Sequence, residues 1–149
     1  MKKILLLLSI LVGMLSAKAQ TEGDAMLNLI GTKVDAPAAQ QFLKEYGITN
    51  TGANKYSTEK NGIEMETRHD TIVMMTIYKS NYVYGQFTHK LPKGISFGST
   101  SDKIFKVLGK PTTSYMNSGY AEYEYGQRTL VCWFENKALN QVILTETRQ

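Results

Sequence analysis

The chain has 149 residues, 42% of them hydrophobic and 20% charged, which is enough for one domain with its own core. Its formal net charge of +4 depends on the N-terminus, because removing Lys2, Lys3 and Lys18 from the 17 basic residues leaves 14 against 13 acidic residues. No run of Lys or Arg remains, so the sequence argues against a nucleic-acid partner.

Residues 1–19 have the pattern of a secretory signal peptide. Lys2 and Lys3 precede an apolar stretch at residues 4–15, and the small-x-small sequence Ala17-Lys18-Ala19 follows it. The stretch is shorter than the roughly 20 residues that span a bilayer. We therefore expect cleavage after Ala19, an exported protein that is periplasmic or secreted, and no membrane insertion after cleavage.

Two short helices are predicted at the start of the mature chain. Apolar residues at helical spacing predict the first one between Thr21 and Ile30. Asp35 is the expected N-cap of the second, and Pro37 fits its first turn. An apolar stripe then runs to Gly47, where we expect this helix to end.

The remainder of the first half predicts antiparallel strands. A polar loop at residues 49–54 precedes a strand that alternates between apolar and charged residues over positions 63–68. His69-Asp70 is the expected turn into a strand at Thr71–Tyr78, and Tyr82–Thr88 is predicted as one more strand.

The stretch Leu91–Pro111 carries the most complete helix signal. Ser99, Thr100 and Ser101 can cap a helix start, while Gly109 can take the left-handed conformation after its end. The apolar residues between them are expected to form a buried stripe: Ile104, Phe105, Val107 and Leu108.

Strands dominate the end of the chain. A loop at residues 112–119 precedes a predicted strand at Tyr120–Tyr125. Arg128–Glu135 and Leu139–Thr147 then read as two strands joined by a hairpin at Asn136-Lys137.

The two halves repeat one pattern with an offset of about 67 residues, which aligns Gly31 with Gly98 and Tyr56 with Tyr123. We therefore predict an α+β fold of two repeats after the signal peptide, at residues 20–90 and 91–149. Each repeat packs short helices on an antiparallel β-meander, and the two form one layered domain.

The segments FGST, LGKP, YAEYEY, LVCWF and LNQVIL follow one another between Ile95 and Leu144. This order resembles the SmpA/OmlA (BamE-like) family of small envelope modules. The tandem arrangement is similar to the beta-lactamase-inhibitor-protein-like fold. The resemblance implies that the two repeats form a concave sheet, and it suggests either an inhibitor or an envelope factor.

Few residues offer catalytic chemistry. Cys132 is the single cysteine and is expected to be a buried hydrophobe rather than a reactive thiol. His69 lies in a predicted turn and His89 beside a bend, and neither has metal-ligand spacing. We read both histidines as surface residues.

Two glutamate pairs, Glu64 with Glu66 and Glu122 with Glu124, share strand faces and could divide acid and base roles or bind a cation. The polar face of an amphipathic strand explains them more simply. Because no catalytic or phosphate-binding motif occurs, we predict that the protein is not an enzyme and needs no cofactor or metal.

Aromatic residues are concentrated in and beside the strands. If Leu130, Cys132 and Phe134 face the helices, their neighbours face the opposite side of the sheet. The predicted protein-binding residues are therefore Trp133, Tyr78, Met74, Val131, Ile143, Tyr82 and Tyr84. The alternative is that these residues fill the junction between the repeats.

The functional expectation is an exported, non-enzymatic protein-binding module that acts through this aromatic face. It would serve as an inhibitor or an immunity protein, and its partner would be an enzyme, a toxin or an envelope component. The alternative is an envelope or outer-membrane assembly or maintenance factor of the BamE-like type. A hydrolase using the glutamate pairs is the remaining, less favoured hypothesis.

Overall fold

The computed structural model describes residues 23–80 and 83–148. The signal peptide predicted at residues 1–19, with its cleavage point, lies outside these ranges. Within them the chain has an α+β architecture made of three short helices and one eight-stranded antiparallel sheet. The helices and one face of the sheet share a hydrophobic core.

The first two helices lie before the sheet in the chain. Helix α1 covers residues 23–29 and helix α2 covers Pro37–Tyr46. Ala36 is the N-cap of α2 and no side chain caps it, so the prediction that Asp35 is the N-cap is wrong. Pro37 explains the shift, because proline favours the first helical position and so places the cap immediately before itself. Gly47 ends α2 with φ 63° and ψ 34°, the left-handed conformation that was expected of a terminating glycine.

Helix α3 covers Ser101–Leu108, and the Thr100 hydroxyl accepts a hydrogen bond from the backbone N–H of Lys103 at 3.4 Å. Ile104 is buried, but Val107 is 50% exposed, so the predicted stripe is too wide. Val107 points away from the core because successive helical residues are rotated by about 100°. Gly109 has a positive φ of 84° with ψ −162°, which is not the left-handed helical conformation predicted for it.

Eight strands form one sheet. Their order is β1-β2-β3-β4-β8-β7-β6-β5, and every neighbouring pair is antiparallel. The strands are β1 (Thr49–Gly52), β2 (Lys55–Thr58), β3 (Ile63–Arg68), β4 (Thr71–Tyr78), β5 (Thr113–Tyr115), β6 (Tyr120–Tyr125), β7 (Arg128–Glu135) and β8 (Ala138–Glu146).

Two of these strands lie where loops were predicted. The polar segment 49–54 contains β1, and the segment 112–119 contains β5 followed by a 3-10 turn at Met116–Ser118. Both strands are short, lie at the edges of the sheet and consist of mostly exposed residues. Such strands lack the apolar alternation from which a strand is predicted. They form because they pair with a neighbouring strand.

The strand predicted at Tyr82–Thr88 is wrong over the part that the structure describes, because residues 83–90 form no strand. The segment is held instead by separate backbone bonds: Gly85 N donates to Glu59 O at 2.5 Å, and Phe87 N donates to Tyr78 O at 3.3 Å. Phe87 is buried in the core. Phe87 therefore anchors an irregular segment rather than a β-strand.

One face of the sheet supplies its half of the core. The pairs Met75–Leu144 and Ile77–Val142 lie across β4 and β8, so the core continues over the line where the two halves of the chain meet. The helices pack on this face. Its fully buried residues are Ile63, Met65, Ile72, Met75, Ile77, Ala121, Leu130, Cys132, Leu139, Val142 and Leu144.

Candidate functional site

The side chains that alternate with the core residues point to the other side of the sheet, which we call the open face. On β7, Leu130 and Cys132 belong to the core, whereas Val131 and Trp133 belong to the open face. All three helices pack on the core side, so none of them covers the open face. This face is the candidate functional surface.

A row of aromatic side chains crosses the open face near one end of its strands. Strand pairing places Tyr115 beside Tyr120, Tyr120 beside Trp133, and Trp133 beside Gln141, which in turn lies beside Tyr78. We call the four aromatic residues of this line, Tyr115, Tyr120, Trp133 and Tyr78, the aromatic row. Ring centroids are 5.2 Å apart for Tyr115 and Tyr120 and 5.1 Å apart for Tyr120 and Trp133.

The exposed end of the aromatic row is its β5–β7 side. Trp133 is 38% exposed and Tyr115 is 55% exposed, which are high values for such large side chains. Tilted aromatic contacts hold these rings in place without helix packing. The rings are therefore ordered and still accessible to a partner.

At the opposite end of the row, Tyr78 makes its ring contact and its hydrogen bond within the protein. Tyr78 stacks on Tyr84 with centroids 4.8 Å apart and planes 5° apart, and its hydroxyl donates to Glu64 Oε2 at 3.2 Å. Burial, and then the charge of Glu64, raises the pKa of Tyr78 to about 12. The same two causes, in the same order, raise the pKa of Tyr84.

Beside the aromatic row the open face is a shallow depression of about 440 Å³ with an apolar floor. Val131 is buried, while Ile143 and Met74 are half-buried. The depression is lined by these three residues together with Tyr120, Trp133, Glu122, Glu124, Thr129, Thr145, Glu146 and Arg148.

Carboxylates lie on both flanks of this apolar floor, and the two flanks differ. On β3, Glu64 and Glu66 each lie near the ammonium of Lys55, at 3.7 Å and 3.9 Å. On β6, Glu122 and Glu124 project on the same face as Tyr120, and neither forms an ion pair with another described residue. The β6 flank therefore carries negative charge that no ion pair between described residues neutralises.

The predicted binding residues are largely brought together. Trp133, Val131, Ile143, Met74 and Tyr78 all lie on the open face. Tyr84 borders it through its stack on Tyr78. Tyr82 lies outside the described residues.

Two residues of the aromatic row were missed by the sequence reasoning, Tyr115 and Tyr120. Tyr115 belongs to an edge strand that had no alternation signal. Tyr120 could have been found, because its strand alternates and Tyr120 has the same parity as Glu122 and Glu124.

The groups with potential catalytic chemistry are not assembled into one site. Cys132 is buried, and this burial raises the pKa of its thiol to about 12, which keeps it protonated and unreactive. His69 lies in the β3–β4 turn, and the His89 ring packs edge-on against Tyr46 with centroids 4.7 Å apart. Residues 23–80 and 83–148 contain no group of three His, Cys, Asp or Glu side chains that could hold a metal ion.

Within the described ranges, none of the helices has the length and apolar character needed to cross a membrane. Comparison with known proteins identifies no matching family model, no matching curated protein and no matching solved structure.

Proposed function

We propose that this protein is an exported, non-enzymatic binding module that recognises another protein through the open face. The observation that carries the proposal is the aromatic row, in which Trp133 and Tyr115 stay accessible on a sheet face that none of the three described helices covers. Tyrosine and tryptophan are enriched at binding hot spots because they bury a large area at low entropic cost. The export part rests on the signal-peptide pattern of residues 1–19.

We further propose that the sheet is built from two repeats, at residues 20–90 and 91–149, which form a concave surface. Equivalent backbone bonds 67 positions apart support this: Gly31 N donates to Ile72 O at 2.8 Å, and Gly98 N donates to Leu139 O at 2.9 Å. The isolated bridges Lys33–Thr71 and Thr100–Ala138 keep the same offset. A doubled meander would supply a broader docking face than either half alone.

One part of the repeat alignment needs a different offset. Tyr56 pairs with Met65, but Tyr123 pairs with Leu130, whereas Cys132 pairs with Ala121. The cause is the connection between the strands, which covers residues 59–62 in the first half and only residues 126–127 in the second. Tyr56 therefore corresponds in register to Ala121 rather than to Tyr123.

As a protein inhibitor or immunity protein, the chain would act by occlusion. A partner seated on the open face would have its own functional surface covered by a rigid sheet, and no bond would need to be made or broken. Rigid aromatic contacts suit this role because little conformational entropy is lost on binding.

Site-specific photo-crosslinking tests the proposal. A benzophenone amino acid at position 115 preserves an aromatic ring at the exposed end of the row and leaves Trp133 in place. In extracts and culture medium of the source cells, we expect one discrete adduct, which the additional substitution Trp133→Ala removes while circular dichroism remains unchanged.

The matched control carries the same amino acid at position 107, since Val107 is exposed on α3 on the opposite side of the sheet. An adduct that also forms from position 107, or that survives Trp133→Ala in a folded protein, would contradict the proposal. The adduct's identity separates the alternatives: an enzyme or toxin favours an inhibitor or immunity protein, and a membrane-protein assembly subunit favours the BamE-like role.

A further inference from the structure

We propose that the partner presents an arginine or lysine side chain to the β6 flank of the open face, with its charge at Glu122 and Glu124 and its stem against Trp133. This inference rests on the proposed function and adds the chemistry of the recognised segment. It also locates the energetic centre of the surface on β6 and β7 rather than around Tyr78.

The first argument is the difference between the two acidic flanks. Lys55 lies within 4.0 Å of both Glu64 and Glu66, so the first flank already has an internal counter-charge. No described lysine or arginine forms an ion pair with Glu122 or Glu124. Among the described residues these two carboxylates therefore have no paired counter-charge, and a cationic partner would complement them, since a complementary potential is what orients a partner on a surface.

The second argument is the composition of the depression. Its lining contains three carboxylates, those of Glu122, Glu124 and Glu146, and one guanidinium, that of Arg148. Arg148 follows the end of β8 and reduces the negative charge without cancelling it. The surface thus favours a cationic occupant over an anionic one, which disfavours an acidic peptide or a phosphate group.

The third argument is the position of the aromatic rings. Glu122 pairs with Val131, two residue pairs along from Tyr120 and Trp133 and therefore next to them on the same face. Diagonal neighbours across two antiparallel strands are separated by about 7 Å, which lies within the reach of a long side chain. A guanidinium or ammonium at Glu122 would therefore lie close enough to the Trp133 ring for a cation–π contact.

The apolar floor of the depression sets a second requirement for the partner segment. Val131 and Ile143 lie next to the carboxylates, so the segment that carries the cation also needs an apolar residue beside it. A segment of another protein meets both conditions, because residues two positions apart in an extended strand point to the same side, so a basic and an aliphatic side chain at i and i+2 can face the sheet together. A simple cation such as a polyamine lacks the apolar part.

The test uses Trp133 as its reporter, because it is the single tryptophan in the chain. The probes are two short capped peptides with the sequence Leu-Ser-X-Ser-Leu, in which both leucines and X lie on the same side of an extended chain. X is arginine in one peptide and citrulline, its uncharged isostere, in the other. We expect the arginine peptide to change Trp133 emission with saturation. The citrulline peptide should bind at least about fivefold more weakly, because it loses ion pairs with both Glu122 and Glu124, each of which is worth up to about fivefold. Added salt should reduce this preference.

The variants are Glu122→Gln and Glu124→Gln, alone and together, with Glu45→Gln as the matched control on the exposed side of α2. We expect each β6 variant to weaken the arginine peptide about threefold to fivefold and to leave the citrulline peptide unchanged. The control should change neither peptide. Native emission of Trp133 without peptide verifies that the variants fold.

Two results would overturn the inference: equal affinity of the two peptides for the native protein, or an arginine preference that persists in the double Gln variant. Absence of any emission change with either peptide would overturn it as well. None of these results bears on the adduct at position 115, whose absence would count instead against the proposed function.

Discussion

The hydroxyl groups of Tyr123 and Tyr78 differ in their hydrogen bonding. The Tyr123 hydroxyl is buried and has no hydrogen-bond partner among the described residues, whereas the Tyr78 hydroxyl donates to Glu64 at 3.2 Å. A buried polar group without a partner has lost its water and gained nothing in return. The two residues should therefore respond in opposite directions when the hydroxyl is removed.

We predict that Tyr123→Phe raises the free energy of unfolding by about 1 kcal/mol, because it removes an unpaired hydroxyl without leaving a cavity. Tyr78→Phe should lower it by about 1 kcal/mol, because a bond to a carboxylate is lost. Urea unfolding followed by circular dichroism measures both changes. Destabilisation by Tyr123→Phe would show that this hydroxyl does have a partner in solution.

The raised pKa values of the Cys132 thiol and the Tyr78 hydroxyl make the stability of the protein depend on pH in alkaline solution. Burial raises the pKa of Cys132 from 9.0 to about 12, and burial followed by the charge of Glu64 raises that of Tyr78 from 10.0 to about 12. Between pH 9.0 and about pH 12, Cys132 and Tyr78 release protons in the unfolded chain but keep them in the folded protein. The folded state therefore binds more protons than the unfolded state. The contribution of these groups to the free energy of unfolding is fully present below pH 9.0 and decreases as the pH rises above it.

We predict that the free energy of unfolding, followed through the urea midpoint, is level up to about pH 8.5 and declines above pH 9. Cys132 adds a slope of up to about 1.4 kcal/mol per pH unit, and Tyr78, whose hydroxyl is only partly shielded from solvent, adds less. Cys132→Ala lowers stability at every pH, since it leaves a small cavity, but should flatten the first part of the decline. The measurement is urea unfolding at a series of pH values between 8 and 12. A profile that stays level across this range would contradict the assigned pKa shifts.

At the scale of elements, the irregular segment 83–90 lies against the β2–β3 connection because two glycines lack side chains. A Cβ atom on Gly85 would lie 2.5 Å from the carbonyl oxygen of Lys60, and one on Gly62 would meet the backbone of Gly85. Both obstacles are backbone atoms, which cannot rotate aside. This contact positions Tyr84 for its stack on Tyr78.

We predict that Gly85→Ala lowers the free energy of unfolding by at least about 2 kcal/mol, because the two backbones must separate. Gly52→Ala is the matched control, since its Cβ would meet nothing within 4 Å, and its effect should stay within about 0.5 kcal/mol. Thermal unfolding measures both. Equal effects of the two variants would mean that the close approach at Gly85 relaxes without cost.

The helices illustrate what local sequence predicts at this scale. The Thr100 cap and the Pro37 and Gly47 signals locate α3 and α2 to within about a residue, because capping bonds are made between near neighbours in the chain. The width of the buried stripe on α3 was overestimated. A short helix touches the sheet along one line, so Ile104 is buried and Val107 remains outside.

At the scale of the whole molecule, the pairing of β4 with β8 joins the two halves of the chain. Five residue pairs, from Met74–Thr145 to Tyr78–Gln141, make the sheet continuous across this line. The core residues on either side belong to one cluster. Neither half can lose its structure without exposing apolar surface of the other.

We therefore predict a single cooperative unfolding transition. Trp133 emission, which reports on β7, and far-UV circular dichroism, which reports on all elements, should have the same urea midpoint. Gly85→Ala, a change in the first half, should shift the Trp133 midpoint as far as the circular dichroism midpoint. Separate transitions, or a Trp133 midpoint insensitive to Gly85→Ala, would show that the halves unfold independently.

The aromatic face shows where sequence reasoning stops. Alternation alone places Trp133 and Val131 on the face opposite Leu130 and Cys132, since side chains alternate along any strand. It does not say which strands are neighbours. The contact of Trp133 with Tyr120 and the stack of Tyr78 on Tyr84 depend on pairing and on a crossing segment that showed no strand.

Caps and apolar alternation act over a few residues, so they predict the α+β class, the positions of α2 and α3, and the strands β3, β4, β6, β7 and β8. The edge strands β1 and β5, the order of the strands and the unequal ion pairing of the two glutamate pairs follow from the tertiary structure alone. These depend on partners distant in the chain: Tyr78 and Tyr115 enter one aromatic row through three intervening strands. Local pattern carries no information about such pairing, which is selected by the burial of a shared core.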